Sequence, residues 1–91
     1  MRLSLWIFTP HARIAMARRS LGEEIVEATL LHPEQNWEVR PGRWIYQARW
    51  TGETSHRVYL VRVWVDVDRT IPAIVTAYRT SRVDKYWRRD S

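Results

Sequence analysis

Arg62 interrupts a run of apolar and β-branched residues, Tyr59-Leu60-Val61-Arg62-Val63-Trp64-Val65. A guanidinium inside such a strand needs a partner, because a lone buried charge is costly. It either pairs with an acid such as Glu27 or Asp66 or lines a place where anions bind. His11 follows Thr9-Pro10, in the first turn of an expected helix. A neutral imidazole beside bound RNA could act there as a general base or orient a phosphate. The plainer reading packs its ring beside the first strand, bonded to a backbone carbonyl.

Arg13, Arg18 and Arg19 decorate that helix, while Arg79, Arg82, Lys85, Arg88 and Arg89 gather near the C-terminus among Tyr78, Tyr86 and Trp87. Cations interleaved with rings suit single-stranded RNA, whose phosphates meet arginine and whose bases stack. An ordinary solvated end, with Trp87 tucked onto the sheet, is the competing reading. Lysine and arginine total 15 against 10 acids, a formal net charge of +5, and Lys85 is the one lysine. Arginine grips phosphate through a planar fork, so this bias favours a nucleic-acid partner. A GC-rich genome would produce the same bias. Position, not number, has to carry the inference.

Other chemistries find little support. With no cysteine, disulfides, zinc–thiolate sites and iron–sulfur clusters are excluded. The three histidines lie far apart, and Asp66 and Asp68 lack a third acid that would hold magnesium. Glu23 and Glu24 fit the first turn of a helix, where acids oppose the dipole. No metal and no cofactor is expected. Met1 to Phe8 is basic and then apolar, but Pro10 and His11 fall where a signal peptide would be cleaved. Nothing reaches the length of a membrane span, so the expectation is a cytoplasmic protein without a membrane partner.

The elements that must position these residues follow from periodicity and punctuation. Leu3 to Phe8 predicts a strand, and Thr9-Pro10 predicts the N-cap and first position of a helix running to about Arg19. Ser20-Leu21-Gly22-Glu23 has the spacing of a capping box for a second helix. Its apolar face holds Ile25, Val26, Ala28, Thr29 and Leu30, and His32-Pro33 stops it. Trp37 to Val39 predicts a strand, and Arg40-Pro41-Gly42-Arg43 a type II turn. Trp44, Tyr46, Ala48 and Trp50 form an aromatic face of the return strand. Arg57 to Asp68 and Ala73 to Arg79 supply two more strands. Val83 to Arg89 predicts a last helical turn, with Arg88, Arg89 and Asp90 frayed into solvent. The 91 residues make one domain, 1–91. Its class is α+β: an N-terminal strand and two helices packed on a four-stranded antiparallel sheet.

Several segments together resemble the bacterial domain-of-unknown-function 4258 family. These are Thr9-Pro10-His11-Ala12, then Met16 and Arg19 before Leu21, then an acidic helix closed by Leu31-His32-Pro33. Tyr59-Leu60-Val61-Arg62-Val63 and Val75-Thr76-Ala77-Tyr78-Arg79-Thr80-Ser81, ending near Lys85-Tyr86-Trp87, extend the likeness over nearly the whole chain. Ser20 stands where the family typically has glycine, and Ala15 where a basic residue is frequent. That family is grouped with RelE- and BrnT-like toxins of toxin–antitoxin pairs, many of which cleave mRNA without metal.

The resemblance implies a RelE/BrnT-like fold in which His11, Arg19, Arg62, Tyr78 and Tyr86 gather on one surface. His11, Arg19, Arg62 and Tyr78 would be catalytic, and Arg13, Arg18, Arg79, Arg82, Lys85, Tyr86 and Arg88 would bind nucleic acid. The implied partners are RNA, ribosome-bound mRNA included, and a cognate acidic antitoxin. Two alternatives remain open. One is a non-catalytic module binding nucleic acid or protein, using the basic tail and the Trp44-Tyr46-Trp50 strand. The other is a toxin of the same fold directed at a protein such as gyrase.

Overall fold

The structure is a computed structural model that describes residues 1–89; the expectation that Asp90 frays into solvent lies outside the described residues. Thr9-Pro10 starts the first helix, α1 (Pro10–Arg18), as its residue types dictate. Thr9 Oγ1 accepts the Ala12 amide at 3.1 Å and donates to the Ile74 carbonyl at 2.8 Å. One hydroxyl thereby caps the helix and ties it to the last strand.

The end of α1 corrects the expected capping box. Leu21 N–H donates to the Met16 carbonyl and Ser20 N–H to that of Ala17, the bond pair of a Schellman ending. Ser20 occupies its left-handed position, at φ 52°. It therefore closes α1 instead of opening the next helix, α2 (Glu23–Leu31), whose N-cap is Gly22. Glu23 and Glu24 occupy the first turn of α2, and the helix stops at Leu31, just before His32-Pro33.

Five strands follow the order β1-β5-β4-β3-β2. They are β1 (Ile7–Phe8), β2 (Gln35–Arg40), β3 (Arg43–Thr51), β4 (Val58–Asp66) and β5 (Ala73–Thr80). β2 to β5 form the expected antiparallel meander, with Gly42 at φ 81° in the turn after Pro41. The four-stranded antiparallel expectation is corrected by β1. It pairs in parallel with β5, Ile7 beside Ala73 and Phe8 beside Ile74, so the sheet is five-stranded and mixed. Only two residues join that ladder, because Leu3 is instead buried in the core that the helices share with the sheet.

α1 and α2 cover one face of the sheet. Ala12, Met16, Leu21, Val26 and Leu30 meet Tyr46, Val61, Val63, Val65, Ile74 and Ala77 there, with Trp6, Phe8, Trp44 and Trp50 at the margins. Burying rings of this size gives a small domain much of its apolar contact, provided their polar tips find partners. They do. Trp6 Nε1 donates to Glu27, Trp50 Nε1 to Thr29 Oγ1, and the Tyr46 hydroxyl to the Met1 carbonyl. Burial pushes the Tyr46 phenol up to about 12. The Trp44-Tyr46-Trp50 face therefore packs toward the helices, with Tyr46 fully buried and Trp44 and Trp50 partly so. The final helix, α3 (Val83–Tyr86), is a single turn.

Candidate functional site

Strand alternation sends Val61, Val63 and Val65 toward the helices and Arg62 and Trp64 to the opposite face. Strand register then aligns Gln35 of β2, Gln47 of β3, Arg62 of β4 and Tyr78 of β5 in one row on that opposite face. Their side chains form a continuous hydrogen-bonded line. Gln47 Nε2 donates to Gln35 Oε1 at 2.7 Å, and Arg62 Nε donates to Gln47 Oε1 at 2.9 Å. Arg62 Nη1 completes the line by donating to the Tyr78 hydroxyl at 2.9 Å.

Arg62 is only 8% exposed, yet among the described residues no carboxylate pairs with it. Neither acid expected from the sequence is its partner. Glu27 accepts from Trp6, and Asp66 takes two bonds from Arg43 at 2.7 and 3.1 Å. The hydrogen bonds from Arg43 hold Asp66 below the usual carboxylate range, against the opposite push of burial. The Arg62 charge is met by π faces instead, lying 4.9 Å from the Trp64 ring, 4.5 Å from Tyr86 and 5.9 Å from Tyr78. Trp64 and Tyr78 stack at 5.4 Å, and Tyr86 stands edge-on to Tyr78.

The tail is fastened to the same row. Gln47 Nε2 also donates to the Tyr86 carbonyl at 3.2 Å, and the Arg88 amide donates to Gln35 Oε1 at 3.0 Å. Trp87 lies against the Arg49 guanidinium at 4.3 Å. Arg19 reaches the site from the end of α1, its Nη1 donating to the Ala77 carbonyl at 3.1 Å and its guanidinium 5.8 Å from the Tyr78 ring. Arg19, Arg62, Tyr78 and Tyr86 are thus one cluster. Lys85 joins it with its ammonium 5.3 Å from the Tyr86 ring.

The other candidates lie elsewhere. His11 is exposed at the opposite end of α1 and lines a shallow hollow of about 390 Å³ with Thr9, Arg43, Val75 and Thr76. Arg13 is paired with Glu23 and lies over Phe8. Arg18 and Arg82 are exposed. Arg79 shares the helix face of the sheet with its register partner Val61 and lies over Tyr59, so the sheet separates it from Arg62. Arg88 covers Trp37 at the far side of the row. Sequence reasoning missed Gln35, Gln47 and Trp64. A polar residue opposite the aromatic face of β3 was the available signal for Gln47, but strand register was needed to connect it with Arg62.

The site is a cation–aromatic cluster on the side of an α+β sheet opposite α1 and α2, where the C-terminal tail packs, and it is rich in donors and in rings on which planar groups stack. No protein-family profile, no curated protein and no solved structure matches this chain. Among the described residues no helix is long and apolar enough to cross a membrane, and no three histidine or acidic side chains converge as metal ligands.

Proposed function

We propose that this chain is a RelE/BrnT-like toxin of a bacterial toxin–antitoxin pair that cleaves mRNA in the cytoplasm without a metal ion. The observation that carries this reading is the Arg62–Tyr78 hydrogen bond with Arg19 against the same ring. Two guanidiniums and one phenol meet where an anionic, planar-base polymer would be held. Two helices followed by an antiparallel meander also agree with the element order that the sequence resemblance implies.

In the proposed reaction the substrate 2′-hydroxyl oxygen attacks the adjacent phosphorus, and the bond to the 5′-oxygen breaks. The products are a 2′,3′-cyclic phosphate and a 5′-hydroxyl. The Tyr78 hydroxyl spends a lone pair on Arg62, so its own proton is free to pass to the departing 5′-oxygen. Water takes the proton of the attacking hydroxyl. Arg62 and Arg19 stabilise the charge that builds on the phosphoryl oxygens. The net charge of +5 suits both the RNA and an acidic antitoxin.

A second reading, a binding module without chemistry, is favoured by the position of His11 outside the cluster. It leaves Tyr78 and Tyr86 as the proton carriers beside Arg62. Inducing the protein in bacteria and sequencing RNA ends separates the two. Cleavage predicts growth arrest and new 5′-hydroxyl ends that Tyr78→Phe abolishes while RNA binding persists. Binding without new ends from the wild type would replace the nuclease reading with the module.

A further inference from the structure

We infer that the hollow lined by His11, Arg43 and Thr76, next to Trp64, is a second nucleotide subsite. It would hold the base and phosphate next to those engaged at Arg62 and Tyr78. This inference rests on the RNA reading above and adds to it a place for one more nucleotide.

The register of the sheet carries the argument. Tyr78 is paired with Arg62, and two residues earlier on β5 Thr76 is paired with Trp64. Both pairs therefore lie on the face opposite the two helices, one strand repeat apart. A strand advances about 3.3 Å per residue, so the two rows are offset by roughly 7 Å, the scale of one nucleotide step in an extended single strand. Trp64 belongs to the Thr76 row, half-buried, stacked on Tyr78 of the neighbouring row at 5.4 Å and 4.9 Å from the Arg62 guanidinium. One indole face packs on the tyrosine, and a base can take the rest of the exposed ring surface.

The hollow has the donors that the next phosphate needs. β1 ends at Phe8, so β5 is left with a free edge beside Val75 and Thr76, and the exposed His11 side chain lines the hollow there. A bulge between Trp64 and Val65 inserts an extra residue on β5 and brings Val75 and Thr76 into the wall. Arg43 enters from β3, already oriented by its two bonds to Asp66. Asp66 takes part of that charge, so the subsite is a hydrogen-bonding and stacking site more than an electrostatic one. At about 390 Å³ the hollow has room for one nucleotide. His11, apart from the Arg62 cluster, thereby contacts the substrate one step away from the bond that breaks.

The test uses labelled oligoadenylates with 2′-O-methyl groups, which block attack by the 2′-oxygen, lengthened one nucleotide at a time at either end. Binding is followed by fluorescence anisotropy. One added nucleotide should raise wild-type affinity by roughly 5- to 150-fold, the range of one stacked base. His11→Ala should reduce that step while leaving the shorter oligonucleotide bound within about twofold. Trp64→Leu, whose ring also faces Arg62 and Tyr78, should reduce the step and weaken the shorter oligonucleotide as well. Arg62→Gln should weaken every length. His11→Ala alters an exposed position, so it keeps the test valid even where Trp64→Leu disturbs folding. An undiminished step in His11→Ala, or equal weakening by it at all lengths, overturns the subsite and leaves the RNA reading standing. A wild-type protein that binds no oligonucleotide overturns both.

Discussion

Arg62 Nη1 donates to the Tyr78 hydroxyl across adjacent strands at 2.9 Å, while Arg62 Nε is held by Gln47 at the same distance. The guanidinium is therefore fixed along two directions, which a lysine ammonium on a flexible stem cannot reproduce. Arg62→Lys should keep the charge and lose at least one bond, lowering RNA cleavage by about 10- to 100-fold with the fold intact. Tyr78→Phe removes one acceptor and should cost about 1 kcal/mol of stability. A double-mutant cycle with Arg62→Leu, read by urea denaturation, checks the pairing. Additive losses would mean that the bond contributes no coupling.

Gln47 has no exposed surface and serves three partners, accepting from Arg62 and donating to Gln35 and to the Tyr86 carbonyl. Gln47→Leu keeps the approximate volume but leaves those partners unpaired beside a guanidinium. It should cost about 2–4 kcal/mol and release the tail. Hydrogen exchange would show the release as faster exchange at the Arg88 amide, which donates to Gln35. Unchanged protection there would mean that the tail is held by its rings alone.

These two residues mark where the sequence could be read and where it could not. Arg62 stood out because local alternation makes a charge in a β-branched strand conspicuous. Helix α1 and the turn at Pro41-Gly42 are likewise local, and they lie where their spacing predicted. Gln47 was silent because its importance comes from register across three strands, a non-local property. The parallel pairing of β1 with β5 was silent for the same reason: its partners are 66 residues apart, Ile7 against Ala73 and Phe8 against Ile74. Ser20 misled because Ser-x-x-Glu fits a capping box on paper, while the Schellman ending of α1 occupies the serine first.

That ending makes its own prediction. Ser20 sits at φ 52°, a conformation costly for a residue with a Cβ and ordinary for glycine. Ser20→Gly relieves this cost and gives some of it back through the freer unfolded chain, so the net gain should be about 0.5–1 kcal/mol. Ser20→Val, β-branched in the same position, should lose about 1–2 kcal/mol. Thermal denaturation of the two variants should move the midpoint in opposite directions. Equal midpoints would show that Ser20 leaves the left-handed region in solution.

Asp66 gives a prediction in pH. Hydrogen bonds from Arg43 lower its ionisation from the ordinary value of 3.8, so the folded state binds this proton less readily than the unfolded state. The stabilisation is therefore complete above the ordinary value and is lost as pH falls through the lower folded value. The pair is largely shielded from solvent, with Asp66 at 15% and Arg43 at 30% side-chain exposure. Asp66→Asn should then cost about 1–2 kcal/mol at neutral pH. The gap from wild type should shrink steadily in acid and close once the wild-type carboxyl is protonated. Urea denaturation of both proteins across that range is the measurement. A gap that stays constant with pH would assign the loss to packing around the new amide, and the charged pair would carry none of the stability.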